Sequence, residues 1–393
     1  KLPPMVAYGL SSRHLPLRRA SLACQRELCE RGLVENTPQA AAALIAMMEH
    51  EYDASLVSEA KLALLQLLHV GAAQQPAAWL TTLQNEPKKD EAVAQQQQAA
   101  RGGGGGDSDE EEEDSEQNAS GLPSGDYDDE SEDARKRKKA EEAEAEELAK
   151  FATILPRWQT RLFCVECVRR LLAILEEPEH FSLTLAQAAP SKDLLVHSLR
   201  ELVGIAFASA TASTEALRPA GILTLSRIVE KYELCEDPDY EGKLLLELYH
   251  AQFRTALSEC FGPEAEPSLA AAGYGLAAQY VLAIGSASNG HTVDPTALRK
   301  LLSMLLKPLS PSGLTEMSYS AYSESAATMV RVEALQAAAK LQAAAAHDPA
   351  QFGELNVQIK QYLPTLRDVW MAMLRDHAML HTQPRGVLRA YRP

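Results

Sequence analysis

Leu217, Ile222, Leu225, Ile228 and Val229 recur at three- and four-residue steps through LRPAGILTLSRIVEKY (217–232), so they share one stripe of an amphipathic helix. Pro219 falls in its first turn, where the missing N–H costs nothing and the fixed φ suits helix entry. Ser213 and Thr214 stand just upstream as candidate caps. LRRASLACQREL (17–28) repeats the skeleton with Arg18, Leu22 and Leu28, and VRVEALQAAAKL (330–341) with Arg331, Leu335 and Leu341. LRDVWMAMLRDHAML (366–380) is a looser copy. Each reads as an Arg at a helix start followed by a small or apolar face. Arg18, Arg218 and Arg331 are therefore expected to bond a carbonyl or carboxylate of an adjacent repeat, their stems covering the nearby turn, while Pro219 sets the angle at which its helix leaves the loop. Ala220 and Gly221, a small pair beside the stripe, predict a close approach by a second helix.

The same periodicity predicts helices at 15–31, 37–50 and 54–72 with a short one after Pro76, broken at Gly32, Asn36–Pro38 and Gln74–Pro76. It predicts more at 156–177, 191–211, 217–232, 237–261, 268–285, near 294–306 and at 320–346, with two at the end. Helices joined by short turns match hairpin repeats of about 40–47 residues, the HEAT or armadillo period. About seven or eight such hairpins would stack into a curved α-solenoid rather than close around one core. Strand-like runs bounded by turn signals are scarce, and the fold class is all-α.

Between the predicted helical regions 1–84 and 150–393, the pattern collapses. Residues 85–149 carry QQQQ, GGGGG, DSDEEEEDSE, SGDYDDESED and RKRKKAEEAEAEE. Such a stretch cannot bury enough apolar surface to offset chain entropy, and it is expected to be a disordered acidic insertion. It also changes the meaning of the charge. The net charge is −16, but residues 107–133 hold fourteen acidic residues and no basic ones, so the rest of the chain is left near −2. No broad basic face remains to track a phosphate backbone, and nucleic acid is not an expected partner.

Hydrophobic residues make up 46% of the 393 positions and aromatics only 6%, so Ala and Leu must fill the interior, which suits closely stacked helices. The six cysteines (Cys24, Cys29, Cys164, Cys167, Cys235, Cys260) fall within helical stretches, a usage that fits a reducing cytosol. No membrane-spanning helix or signal peptide is expected, and a chain that opens KLPPMVAYGL reads as a piece of a longer protein.

Candidate chemistry is sparse. Cys164-Val165-Glu166-Cys167 is formally a CxxC, but it lies mid-helix without a second ligand pair at metal spacing, so buried packing is the reading. The ten histidines are scattered, and no HExxH, GxSxG or GxxxxGK[ST] occurs. The run GGGGG at 102–106 precedes acid rather than a helix. No catalytic residue, cofactor or metal site is assigned, and an enzyme is not expected. RKRKK (135–139) reads as a charge-balanced segment because carboxylates flank it on both sides. Ser108, followed by Asp109, Glu110 and Glu111, is a candidate site for an acidophilic kinase. Asn118-Ala119-Ser120 fits the glycosylation sequon, which a cytosolic chain would not use.

Several stretches together resemble the HEAT repeat-containing protein 5 family. They are PRWQTRLFCVECVRRLL (156–172), DLLVHSLRELVGIAFASATASTEALRPAGILTLSRIVEKY (193–232), DPDYEGKLLLELYHAQFRTAL (237–257) and YSESAATM (322–329), with LPLRRASLACQREL (15–28) similar to an upstream repeat. The resemblance implies an internal fragment of a large solenoid scaffold at the trans-Golgi network and endosomes. It also implies support of adaptor complex 1 and clathrin recruitment, a dynein link in animal members, and membrane association only through partners. The chain departs from the family in its Ala-, Gln- and Gly-rich insertions and over its last 45 residues. A karyopherin-like nuclear transport receptor, also an acidic solenoid, is the alternative reading.

Overall fold

The computed structural model describes residues 2–84, 158–189, 192–238, 243–262, 265–285, 295–306, 323–349 and 352–382. The acidic stretch 85–149 and the candidate phosphosite Ser108 lie outside the described residues.

Apolar stripes become helices throughout. α1 (Leu2–Leu10), α2 (Leu15–Glu30), α3 (Thr37–His50) and α4 (Ala54–Gly71) precede α5 (76–84). After the undescribed stretch come α6 (Trp158–Ile174), α7 (Leu199–Ala210), α8 (Leu217–Tyr232), α9 (His250–Cys260) and α10 (Pro267–Gly285). α11 (Pro295–Leu306), α12 (Glu324–His347), α13 (Gly353–Lys360) and α14 (Leu363–Thr382) complete the series. Among the described residues the only β pairing is an isolated bridge between Glu236 and Leu244.

The helices form two rows. In one, α2 packs on α4, α4 on α6, α6 on α8, α8 on α10 and α10 on α12. In the other, α1 packs on α3, α7 on α9 and α11 on α13. Antiparallel pairs α1/α2, α3/α4, α7/α8, α9/α10 and α11/α12 join the rows as hairpins. This is the arrangement of an all-α solenoid, in which each unit buries its apolar stripe against its neighbours. The apolar core accordingly runs on from Val6 to Leu366 without a break into separate centres. α3 and α4 both meet α6, and Lys61 Nζ lies 5.2 Å from the Phe163 ring centroid, so the hairpins on either side of residues 85–157 are in direct contact.

Glycines let the hairpins close. An ideal Cβ placed on Gly221 of α8 would lie 2.7 Å from both Ala210 Cα and Ser209 C of α7, so the two backbones approach as the small Ala220–Gly221 pair predicts. Similar additions at Gly9, Gly71 and Gly273 would strike Ser21, Thr37 and Cys260 of the partner helix in their own hairpins.

Several expectations are revised. The predicted helix 237–261 starts only at Leu245, as a tight 3₁₀ turn to Tyr249 that continues into α9. The chain before it is extended: Asp237 N donates to Lys243 O and Leu245 N to Cys235 O, both at 2.8 Å. Pro238 supplies the reason, since a proline restricts the residue before it to extended backbone. Similarly, 191–211 is 3₁₀ at Leu195–Ser198 and α-helical only from Leu199. Contrary to the expectation of no membrane-length apolar helix, α10 is long and apolar enough by length and composition alone. Its apolar window is 61% buried within the protein, however, between α8 and α12, which is the setting of a core helix.

Candidate functional site: the repeat junctions and exposed faces

At the first junction, Arg18 in the opening turn of α2 reaches two elements. Its Nε donates to Glu51 Oε2 at 2.6 Å, and one Nη donates to the carbonyls of Ser12 and Arg13 at 2.9 and 3.0 Å. Glu51, in the α3–α4 turn, is 4% exposed and also accepts from the backbone N–H groups of Tyr52 and Asp53. Burial alone would raise its carboxyl pKa. The hydrogen bonds from Arg18, Asp53 and Tyr52 and the guanidinium charge outweigh that, and the group is held below its usual range. Asp53 then caps α4 by accepting from Ser55 and Leu56 N–H while Arg19 pairs with its other oxygen at 2.7 Å. Arg18 thus ties the α1–α2 loop to the next hairpin.

Arg218 behaves differently. Its Nε donates to Ala212 O at 2.7 Å, two residues beyond the end of α7, so the bond closes its own hairpin and does not reach an adjacent repeat. The expected caps are absent as well, since Ala216 occupies the cap position without a side-chain bond. The amides of Leu217 and Arg218 instead donate to Thr214 O and Glu215 O, and Pro219 in the first turn has no amide to satisfy. Arg331 does not open a helix. Ser323 caps α12 by accepting from Ala326 N–H, which starts the helix at Glu324 and leaves Arg331 half-buried two turns in.

Cys164 and Cys167 are both buried on α6, and burial pushes the Cys167 thiol up to about 12, which keeps it protonated at neutral pH. His377 and His381 are neighbours one turn apart on exposed α14, with ring centroids 4.4 Å apart. Among the described residues no group of three or more His, Cys, Asp or Glu side chains could hold a metal ion.

A second junction, which periodicity did not single out, lies between α6 and α8. Lys231 Nζ donates to Leu175 O at 2.8 Å and sits 4.9 Å from the Phe181 ring centroid, and Phe181 packs edge-on against Tyr232. Tyr232 Oη donates to His180 O. His180 itself is 3% exposed, and burial holds its imidazole pKa below the usual value even though Glu177, Asp193 and Glu179 oppose that shift.

Two rows of antiparallel hairpins with locally bonded junctions and a continuous core define a helical-repeat scaffold. Residues 194–379 match the family model described as the Laa1/Sip1/HEATR5 HEAT repeat region, and this part of the chain is similar to that family. The chain is also similar to the protein SWEETIE of Arabidopsis thaliana, 27% identical over 339 residues that cover 84% of this chain and 14% of that protein. The chain therefore corresponds to a small part of the relative's length. No solved structure matches.

Proposed function

We propose that the chain is a non-enzymatic docking scaffold of intracellular vesicle traffic, supporting adaptor complexes and clathrin at the trans-Golgi network and endosomes. The observation that carries this reading is the match of residues 194–379 to the Laa1/Sip1/HEATR5 repeat region, over a stretch that folds as stacked hairpins. A solenoid of this kind offers long surfaces on rigid helices, which suits holding proteins rather than transforming a substrate. His180 and the thiols of Cys29, Cys164, Cys167, Cys235 and Cys260 are buried in the packing of its described hairpins. Adaptor and clathrin accessory proteins are the proposed partners, and membrane association would come through them.

Proximity labelling of the full-length protein in cells tests the reading. Adaptor subunits, clathrin and their accessory proteins should dominate the labelled set, enriched at Golgi and endosomal membranes. A set dominated by nucleoporins and a nuclear transport GTPase would overturn it in favour of a transport receptor.

A further inference from the structure

Of the ten histidines only His377 and His381 stand four positions apart, which puts them on one face of α14, a turn from each other. That stretch of helix is open to solvent. Every residue from Met371 to Met379 is exposed, and so is His381. The two imidazoles lie 4.4 Å apart between ring centroids and are tilted by 51°.

This spacing suits two rings that share one ion. A ligating histidine nitrogen lies about 2.1 Å from a first-row divalent ion and about 1.1 Å from its own ring centroid, so that centroid is about 3.2 Å from the ion. Two such rings are about 4.5 Å apart when they meet the ion at a right angle and about 5.2 Å apart at a tetrahedral angle. The observed 4.4 Å fits the right angle. Turning a ring about its Cβ–Cγ bond redirects the nitrogens while the centroid stays nearly in place, so both exposed rings can aim at a common ion without moving the helix. We propose that His377 and His381 form a two-imidazole site for copper(II), with water in the remaining positions. Nitrogen donors at right angles match the tetragonal geometry of copper(II), which also heads the affinity series of first-row divalent ions. A structural zinc site takes four ligands in a tetrahedron, and the described residues supply no third His, Cys, Asp or Glu to complete one. The site asks nothing of the trafficking reading, so each stands or falls without the other.

The test adds one equivalent of copper(II) to the chain in a weakly coordinating buffer. Electron paramagnetic resonance should show a tetragonal signal split by two nitrogens. In calorimetric titration His377→Gln and His381→Gln should each bind about ten-fold or more weakly, because the second imidazole closes an intramolecular ring at high effective concentration. His197, exposed and with no second histidine a turn away, serves as the control, and His197→Gln should bind as the parent does. Both site histidines are exposed, so their variants should melt with the parent. A second measurement needs no variant: an ion held across one turn binds only the helical backbone, so copper(II) should slow amide hydrogen exchange over 371–382. A signal without nitrogen splitting would place the ion on carboxylates and overturn the proposal. Unchanged exchange, normal binding by either site variant, or an equal loss in His197→Gln would overturn it as well.

Discussion

Gly221 and Gly204 offer the same substitution in two surroundings. Gly204 sits on the exposed face of α7, where an added Cβ would meet nothing within 4 Å. Gly221 sits on α8 against the end of α7, where a Cβ would be 2.7 Å from Ala210 Cα and Ser209 C and closer still to Ala210 N. Carbon atoms at rest are about 3.5–4.0 Å apart, so α7 and α8 would have to part by about 1 Å. What blocks the way is main chain, which cannot swing aside as a flexible side chain can. The cost of Gly221→Ala should therefore reach the upper part of the usual overpacking range of about 1–3 kcal/mol. Gly204→Ala should gain about 0.5–1 kcal/mol, because alanine loses less freedom than glycine on entering a helix.

Urea unfolding followed by circular dichroism, with the slope checked for a change of mechanism, reads both shifts. Because stacked repeats can open piecewise, amide hydrogen exchange over 199–232 should show the Gly221→Ala loss concentrated there. Equal midpoints for the two variants, or a rise for Gly221→Ala, would refute the claim that backbone contact sets the α7–α8 spacing.

Three further outcomes follow from the junctions. Arg18→Ala should lower stability by about 2 kcal/mol, because it removes a charge-assisted bond from buried Glu51, whereas Arg218→Ala, which removes one carbonyl bond, should cost about 1 kcal/mol. Replacing residues 85–149 with a Gly-Ser linker should shift thermal unfolding by less than ~10 °C, since loop length adds only slowly to closure entropy and α3, α4 and α6 meet directly. His180 has a lowered folded pKa, so the unfolded chain binds the extra proton. Stability is therefore full above the ordinary histidine value of 6.5 and declines as pH falls below it towards the folded value, and His180→Gln should flatten that decline in melting temperature between pH 7 and pH 5.

Helix existence was legible because the apolar stripes are local: 217–232 emerges with the bounds its periodicity implies, and Gly221 stands where a small residue is needed. What was not legible depends on contacts between distant positions. A helix-start Arg can bond across a junction, as Arg18 does to Glu51, or back to its own loop, as Arg218 does to Ala212, and nothing in the twelve or so residues around either decides which. Arg331 lies two turns inside the helix that Ser323 caps, so the skeleton it shares with Arg18 does not mark a helix start.

The four hairpin glycines suggest what the repeat holds constant. Gly9 meets a serine, Gly71 a threonine, Gly221 backbone and Gly273 a cysteine, so the partner does not recur, and only Gly9 and Gly71 share a place, the end of their helices. The shared feature is a backbone-to-helix approach too close for a Cβ. Approach distance within a hairpin fixes how far apart its two helices lie, and that spacing determines how the next hairpin seats against both rows. A solenoid can therefore vary many residues along its length while keeping its stacking where a hairpin retains such a contact, as four of the five described hairpins do. The surfaces between helices of the same row remain free to differ from one repeat to the next without disturbing the fold.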